Sequence, residues 1–183
     1  RRCAQTFARE KFPPAEPLWR GERYRHDRIR IAYLSADFHN HATAFLMAEL
    51  LEGHDRQRFE TLAVSFGPPS RHPMRDRLTA AFDRFLDVRA LSDQEIARQL
   101  RALEVDIAID LKGYTTDSRP GILRWRPCPV QVNYLGYPGT MGADYIDYLI
   151  ADPVVIPPGS EPFYSERVVR LPDCYQPNDR QRR

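Results

Sequence analysis

Three short segments hold the residue types from which a site could be assembled. The first is Ser35-Ala36-Asp37-Phe38-His39-Asn40-His41-Ala42-Thr43. It offers a carboxylate and two imidazoles, groups that move protons, just ahead of a helical pattern whose free N–H groups can face an anion. Its plainer use is a helix cap by Asp37 or Asn40. The second is Asp110-Leu111-Lys112-Gly113-Tyr114-Thr115-Thr116. Lys112 can neutralise a phosphate or pair with Asp110, Gly113 permits a sharp turn, and Tyr114 offers a ring for a sugar and a hydroxyl. Its plainer use is a tight turn with a solvated lysine. The third is Gln131-Val132-Asn133-Tyr134-Leu135-Gly136-Tyr137-Pro138-Gly139-Thr140-Met141-Gly142, an apolar run that breaks into a glycine-rich loop. Such loops let a ligand approach backbone amides, or serve as scaffold turns. Each segment leaves a strand-like run, and α/β sheets bind ligands at the carboxyl ends of their strands. Together the three would ring one edge of a sheet around a shared pocket.

Other chemistries find less in the residues. There is no Gly-x-Gly-x-x-Gly string and no Walker loop. Ser35 lies outside any Gly-x-Ser-x-Gly elbow, so a hydrolase triad has little support. His39 and His41 are two apart without a carboxylate cluster, and no metal site is expected. Arg119, Arg124 and Arg126 read as a solvated or interdomain face rather than a nucleic-acid patch. A net charge of +2 implies no general attraction to nucleic acid or membranes. Cys3, Cys128 and Cys174 form no Cys-x-x-Cys pair, which suits a reducing compartment. No apolar run reaches the roughly 18 residues of a membrane span, and a signal-peptide core is lacking. The expectation is a soluble, cytoplasmic protein.

The elements that must position these segments follow from periodicity. Residues 1–28 read as a lead-in: a helical tail over Cys3 to Lys11, then an extended connector enforced by Pro13, Pro14 and Pro17. From Ile29 strands and helices alternate. Strands are predicted at Ile29–Ser35, Phe59–Phe66, Phe85–Val88, Val105–Leu111, Val130–Leu135 and Tyr148–Ala151. Helices are predicted from Ala42 to Gly53, with Phe45, Leu46 and Leu50 on one side, from Met74 to Phe82 after Pro73, and from Gly121 to Trp125. Ser92 to Leu103 is the best-marked helix, since Ser92 and Glu95 match a capping box. This alternation implies a doubly wound, mainly parallel α/β sheet over residues 29–152. After Asp152 prolines dominate, with Val168 to Leu171 the one strand-like piece, so 153–183 reads as a connector.

As a set the strings are recognisable. Tyr33-Leu34-Ser35-Ala36-Asp37-Phe38, Asp110-Leu111-Lys112-Gly113-Tyr114-Thr115 and Asn133-Tyr134-Leu135-Gly136-Tyr137-Pro138-Gly139-Thr140 resemble the protein O-GlcNAc transferase family, above all its bacterial SPINDLY-like members. The ending, Tyr164-Ser165-Glu166 through Leu171-Pro172-Asp173-Cys174-Tyr175-Gln176-Pro177-Asn178-Asp179, is similar too, and the likeness runs from about Ile29 to Arg180. The resemblance implies the N-terminal Rossmann-like lobe of a GT-B glycosyltransferase. It also implies a preceding tetratricopeptide (TPR) region and a following C-terminal lobe that carries most nucleotide contacts. A histidine that animal members place in the helical segment before the lobe is missing.

By position, the resemblance makes His41 the histidine beside the donor's phosphate and sugar. Asp37 and Asn40 then shape the same loop, and Thr43 lies near the sugar. Tyr114 lines the cleft, and the backbone of Leu135 and Gly136 borders the GlcNAc ring. Lys112 and Tyr137 join the expected substrate-binding set. Ala42 stands where the family usually has proline, which loosens the loop by about 0.4–1 kcal/mol; Phe45 stands where histidine is common. The implied reaction moves GlcNAc from UDP-GlcNAc to serine or threonine hydroxyls of a protein or peptide, with inversion and no metal or cofactor. Asp37 and His41 are the candidates for its proton acceptor. The open alternatives are another donor or acceptor (GDP-fucose, or glucosylation of asparagine) and a truncated, non-catalytic interaction module.

Overall fold

In the computed structural model, which describes residues 1–181, short runs rich in β-branched and aromatic residues form the strands. These are β1 (Ile29–Ser35), β2 (Phe59–Ser65), β3 (Arg84–Asp87), β4 (Ile107–Asp110), β5 (Val130–Tyr134), β6 (Tyr148–Ala151) and β7 (Arg167–Arg170). Between and before them lie α1 (Arg2–Lys11), α2 (Ala42–Glu52), α3 (Pro73–Ala81) and α4 (Asp93–Ala102), with a 3-10 turn at Pro120–Trp125. The capping box is formed: Ser92 accepts from the Glu95 N–H, and the Glu95 carboxylate accepts from the Ser92 N–H.

All seven strands pair in parallel in the order β3-β2-β1-β4-β5-β6-β7. The expected doubly wound sheet is therefore present, and the chain reverses its direction of travel across the sheet between β1 and β4. The strand-like piece after Asp152 is β7, so the boundary drawn at 152 falls between two neighbouring strands of one sheet.

Alternation along β1 divides the core. Ile31 and Tyr33 face Ala44, Met47, Leu51, Met74 and Leu78 of α2 and α3. Ala32 and Leu34 face Ile96, Ala97 and Leu100 of α4, Ile122 and Leu123 of the 3-10 turn, and Ala8 of α1. The buried face of α2 is a correction. It is Ala44, Met47, Ala48 and Leu51, while Phe45, Leu46 and Leu50 are only partly covered. Ala44, Met47, Ala48 and Leu51 follow the i, i+3, i+4, i+7 spacing of a single helix face, whereas Phe45, Leu46 and Leu50 lie to its sides. The proline-rich connector runs extended beside residues 124–126, with the N–H groups of Ala15, Leu18 and Trp19 donating to the Arg124, Trp125 and Arg126 carbonyls. Arg119 and Arg126 are tied within the fold, to Asp93 and Asp147 respectively, rather than forming a free basic face. No described helix is long and apolar enough to cross a membrane.

Behind β1, Tyr33 Oη lies 2.8 Å from His54 Nε2. Burial pushes the Tyr33 phenol above its ordinary range and pulls His54 below its own. Tyr33 is therefore the donor and His54 the neutral acceptor. The unfolded chain takes up this proton near the ordinary histidine value, whereas the folded chain resists until lower pH. Stability from this pair is complete above about 6.5 and falls as pH drops through the window below. Thermal unfolding of the wild type and His54→Gln compared between pH 7.5 and 5.5 checks this: the wild type's advantage should shrink as pH falls, and the comparison cancels groups common to both. A variant profile as steep as the wild type's would assign the loss to other groups.

Candidate active site

Because neighbouring strands are parallel, Ser35, Ser65, Asp110 and Asn133 lie within one residue of the same level, and the three segments emerge side by side. They leave β1, β4 and β5, and the first two flank the point where strand order reverses, the preferred ligand position of such sheets.

The β1 loop is wound tightly. Ser35 Oγ accepts the Asp37 N–H at 2.9 Å, the His39 N–H donates to the Asp37 carbonyl, and the His41 N–H donates to the His39 carbonyl. His41 is the N-cap of α2, with Nδ1 accepting from the Thr43 N–H at 3.2 Å. That bond uses the Nδ1 lone pair, so a neutral ring carries its proton on Nε2, and the exposed side chain presents a donor outward. The first turn of α2 holds no acidic residue, which leaves the positive end of its dipole without a counter-charge of its own. Asn40 is exposed beside it.

Under His41 lies a buried cluster. Asp37 Oδ2 receives Lys112 Nζ at 2.7 Å and Thr43 Oγ1 at 3.4 Å, with His41 Nδ1 at 3.5 Å. The Lys112 and Asp37 side chains are only 6% and 8% exposed. Lys112 thus pairs across the reversal point with Asp37, not with Asp110. The Asp110 carboxylate instead accepts the backbone N–H groups of Lys112 and Gly113 at 2.9 and 3.1 Å.

The β5 loop closes the third side. Leu135 is buried and held at φ +69°, a left-handed conformation that costs a branched residue about 1–3 kcal/mol. This bend brings Gly136 so near β4 that an added Cβ would overlap the Leu111 carbonyl oxygen. Gly136→Ala is expected to push the loop off the sheet edge and to cost about 1–3 kcal/mol by overpacking. Denaturant unfolding checks this, and an unchanged midpoint would mean the loop yields freely. The loop is tied from both sides: Asn133 Nδ2 donates to the Tyr137 carbonyl, and Glu166 accepts from Thr140 Oγ1 and the Met141 N–H, all within 2.8 Å.

Of the residues singled out from sequence, Asp37, His41, Thr43 and Lys112 touch one another. Gly136 and Tyr137 stand against the same β4 turn, and Leu135 forms the bend just before them. Tyr114 is placed differently: its hydroxyl donates to the Met141 carbonyl at 2.7 Å, and its ring packs among Phe7, Phe12 and Tyr137. That hydrogen bond ties it to the loop, and burial pushes the phenol up to about 12, so it keeps its proton. Sequence reasoning named Ser35, Asp110 and Glu166 without their supporting roles, and missed Arg75. Arg75 stacks on Phe85 and donates to the Phe38 carbonyl and Ser65 Oγ. An Asp two residues before a lysine–glycine turn is a local signal that could have found the role of Asp110. Glu166 acts 25 residues from its partner and leaves no local trace. Among the described residues no group of three or more His, Cys, Asp or Glu side chains is gathered as a metal site.

Comparison with known proteins adds to this geometry. Residues 16–182 match the model of glycosyl transferase family 41. The chain is 40% identical over 152 residues to the probable UDP-N-acetylglucosamine–peptide N-acetylglucosaminyltransferase SEC of Arabidopsis thaliana, covering 83% of this chain and 16% of that protein. It is 33% identical over 149 residues to the UDP-N-acetylglucosamine–peptide N-acetylglucosaminyltransferase of Caenorhabditis elegans, covering 81% and 13%. In structure it is similar to a mutant O-GlcNAc transferase of Thermobaculum terrenum, with a TM-score of 0.85 and 35% identity over 94% of this chain and 34% of that one. The chain therefore spans about a sixth of the length of the curated plant relative and a third of the bacterial one.

Proposed function

The chain belongs to glycosyl transferase family 41 and forms the N-terminal, Rossmann-type lobe of a GT-B glycosyltransferase, and from that premise we propose that its rim is the sugar-facing wall of a protein O-GlcNAc transferase. The reaction we assign to the whole protein moves GlcNAc from UDP-GlcNAc to a serine or threonine hydroxyl, inverting the anomeric carbon without a metal. The observation that carries this reading is the joining of Asp37, His41 and Lys112 at the reversal point, beside the Leu135–Gly136 bend. Nucleotide contacts, and the TPR region of the longer protein, are assigned to chain outside residues 1–183.

In that reaction the acceptor oxygen bonds to the anomeric carbon as the carbon–phosphate oxygen bond breaks, and the electron pair leaves on the diphosphate. The negative charge that grows there is met by the His41 Nε2–H and the positive end of α2. Lys112 adds little directly, because its charge is already spent on Asp37. The acceptor proton needs a base. Asp37 Oδ2 is occupied by Lys112, so the proton goes to Asp37 Oδ1, which makes no hydrogen bond among the described residues. Asn40 and Thr43 shape the loop, and the backbone of Leu135, Gly136 and Tyr137 borders the sugar.

The test is transfer by the longest natural form of the protein, supplied with UDP-GlcNAc and a serine- and threonine-containing peptide. The expected product carries one N-acetylhexosamine on a hydroxyl. A deoxyhexose taken from GDP-fucose, or a hexose on asparagine, would replace this assignment by another donor or acceptor. No modification with any of these donors would leave a binding role only.

A further inference from the structure

The three loops meet on one turn, and one carboxylate holds that turn. Asp110 is 5% exposed, and its two oxygens accept the N–H groups of two successive residues, Lys112 and Gly113. Burial pushes its acid up to about 6, in spite of those N–H groups and the nearby Lys112 ammonium, so a charge is kept where the surroundings disfavour it. The turn it holds touches every other part of the site. The Leu111 N–H donates to the Leu34 carbonyl of β1, and the Leu111 carbonyl faces Gly136. Gly113, at φ +55°, lies so close beneath Tyr137 that a Cβ would overlap that side chain. Lys112 reaches 75 residues back along the chain to Asp37. Thr115 supplies a second tie, with its N–H and Oγ1 both donating to the Lys112 carbonyl at 3.2 and 2.9 Å.

We propose that Asp110 is a positioning residue: it clamps two consecutive N–H groups and so fixes the turn that delivers the Lys112 ammonium to Asp37 and seats Gly113 under Tyr137. Its effect on donor binding rests on the function proposed above, whereas the clamp itself does not. A simple turn at a strand end makes a different demand. Asparagine would satisfy it, because one amide oxygen still accepts one N–H. The clamp needs two acceptors, and Asp110→Asn turns an NH2 group towards the second N–H.

The chain offers a direct readout, since Lys11 and Lys112 are its only lysines and Lys11 is exposed. Reductive methylation of the folded protein, read peptide by peptide, gives Lys112 labelling with Lys11 as the internal reference. In Asp110→Asn the Lys112-to-Lys11 ratio should rise about tenfold or more, since hydrogen bonds to a charged group are lost. Thr115→Val should raise it less. An unchanged ratio in folded Asp110→Asn overturns the clamp; if that variant does not fold, Asp110→Ser, which keeps one oxygen acceptor in place of two, decides in the same sense. A second arm measures UDP-GlcNAc affinity by calorimetry on the longest natural form, where Asp110→Asn should bind several-fold more weakly, because the Gly136–Tyr137 backbone that borders the sugar shifts with the turn. Raised labelling with unchanged affinity would refute the positioning role towards the donor. A wild type that binds no UDP-GlcNAc would overturn the proposed function while the labelling still decides the clamp.

Discussion

Replacing His41 with alanine in the longest natural form of the protein is expected to lower sugar transfer about tenfold or more, the cost of removing one preorganised donor from a developing oxyanion. The expectation follows from how the ring is held. Nδ1 accepts from the Thr43 N–H, so the neutral side chain turns its proton outward on Nε2. The same bond makes His41 the N-cap of α2, and alanine also forfeits that cap, at about 1 kcal/mol of stability. The two losses can be separated. His41→Asn keeps a good capping side chain but lacks the reach of the imidazole, so it should restore the unfolding midpoint and leave transfer low. A radiolabelled-sugar assay with both variants decides the matter. Unchanged transfer in His41→Ala would take this residue out of the mechanism, and recovery in His41→Asn would reduce it to a cap.

The parts of this molecule legible in its sequence are those that local patterns encode. Val, Ile and Leu runs between turn residues marked the strands, and Ser92 with Glu95 marked the start of α4 within a residue. Because the alternation required parallel strands, it also required the three loops to share an edge, and they do. What stayed hidden is whatever depends on distance in the chain. Nothing near Lys112 says that its partner is Asp37 rather than Asp110, because that choice is made by the reversal of strand order between β1 and β4. The left-handed turn at Leu135 was equally invisible, since local preference would have placed glycine there and burial of the side chain in the core overrides it. The Tyr114 hydroxyl, read as open to a ligand, is bound to Met141 once the loop folds back.

The buried pair itself carries the largest stability effect expected. Lys112→Met leaves Asp37 as a charge that is 8% exposed and without its cation, at a cost of about 3–5 kcal/mol. For a chain of this size that is a fall in the unfolding midpoint on the order of 10 °C. Part of the loss should be recovered by a second change. Asp37→Asn with Lys112→Met removes both charges, and a buried ion pair replaced by neutral groups of similar shape is often no less stable than the original. The two substitutions touch one interaction, so their effects should be strongly non-additive. Transfer should not recover with stability, because the asparagine offers no carboxylate to take the acceptor proton. A double variant that is stable and inactive would mean that the pair is retained for chemistry, with the fold able to do without it. A double variant as unstable as Lys112→Met alone would place the pair in the architecture, and one that is stable and active would remove Asp37 from proton transfer.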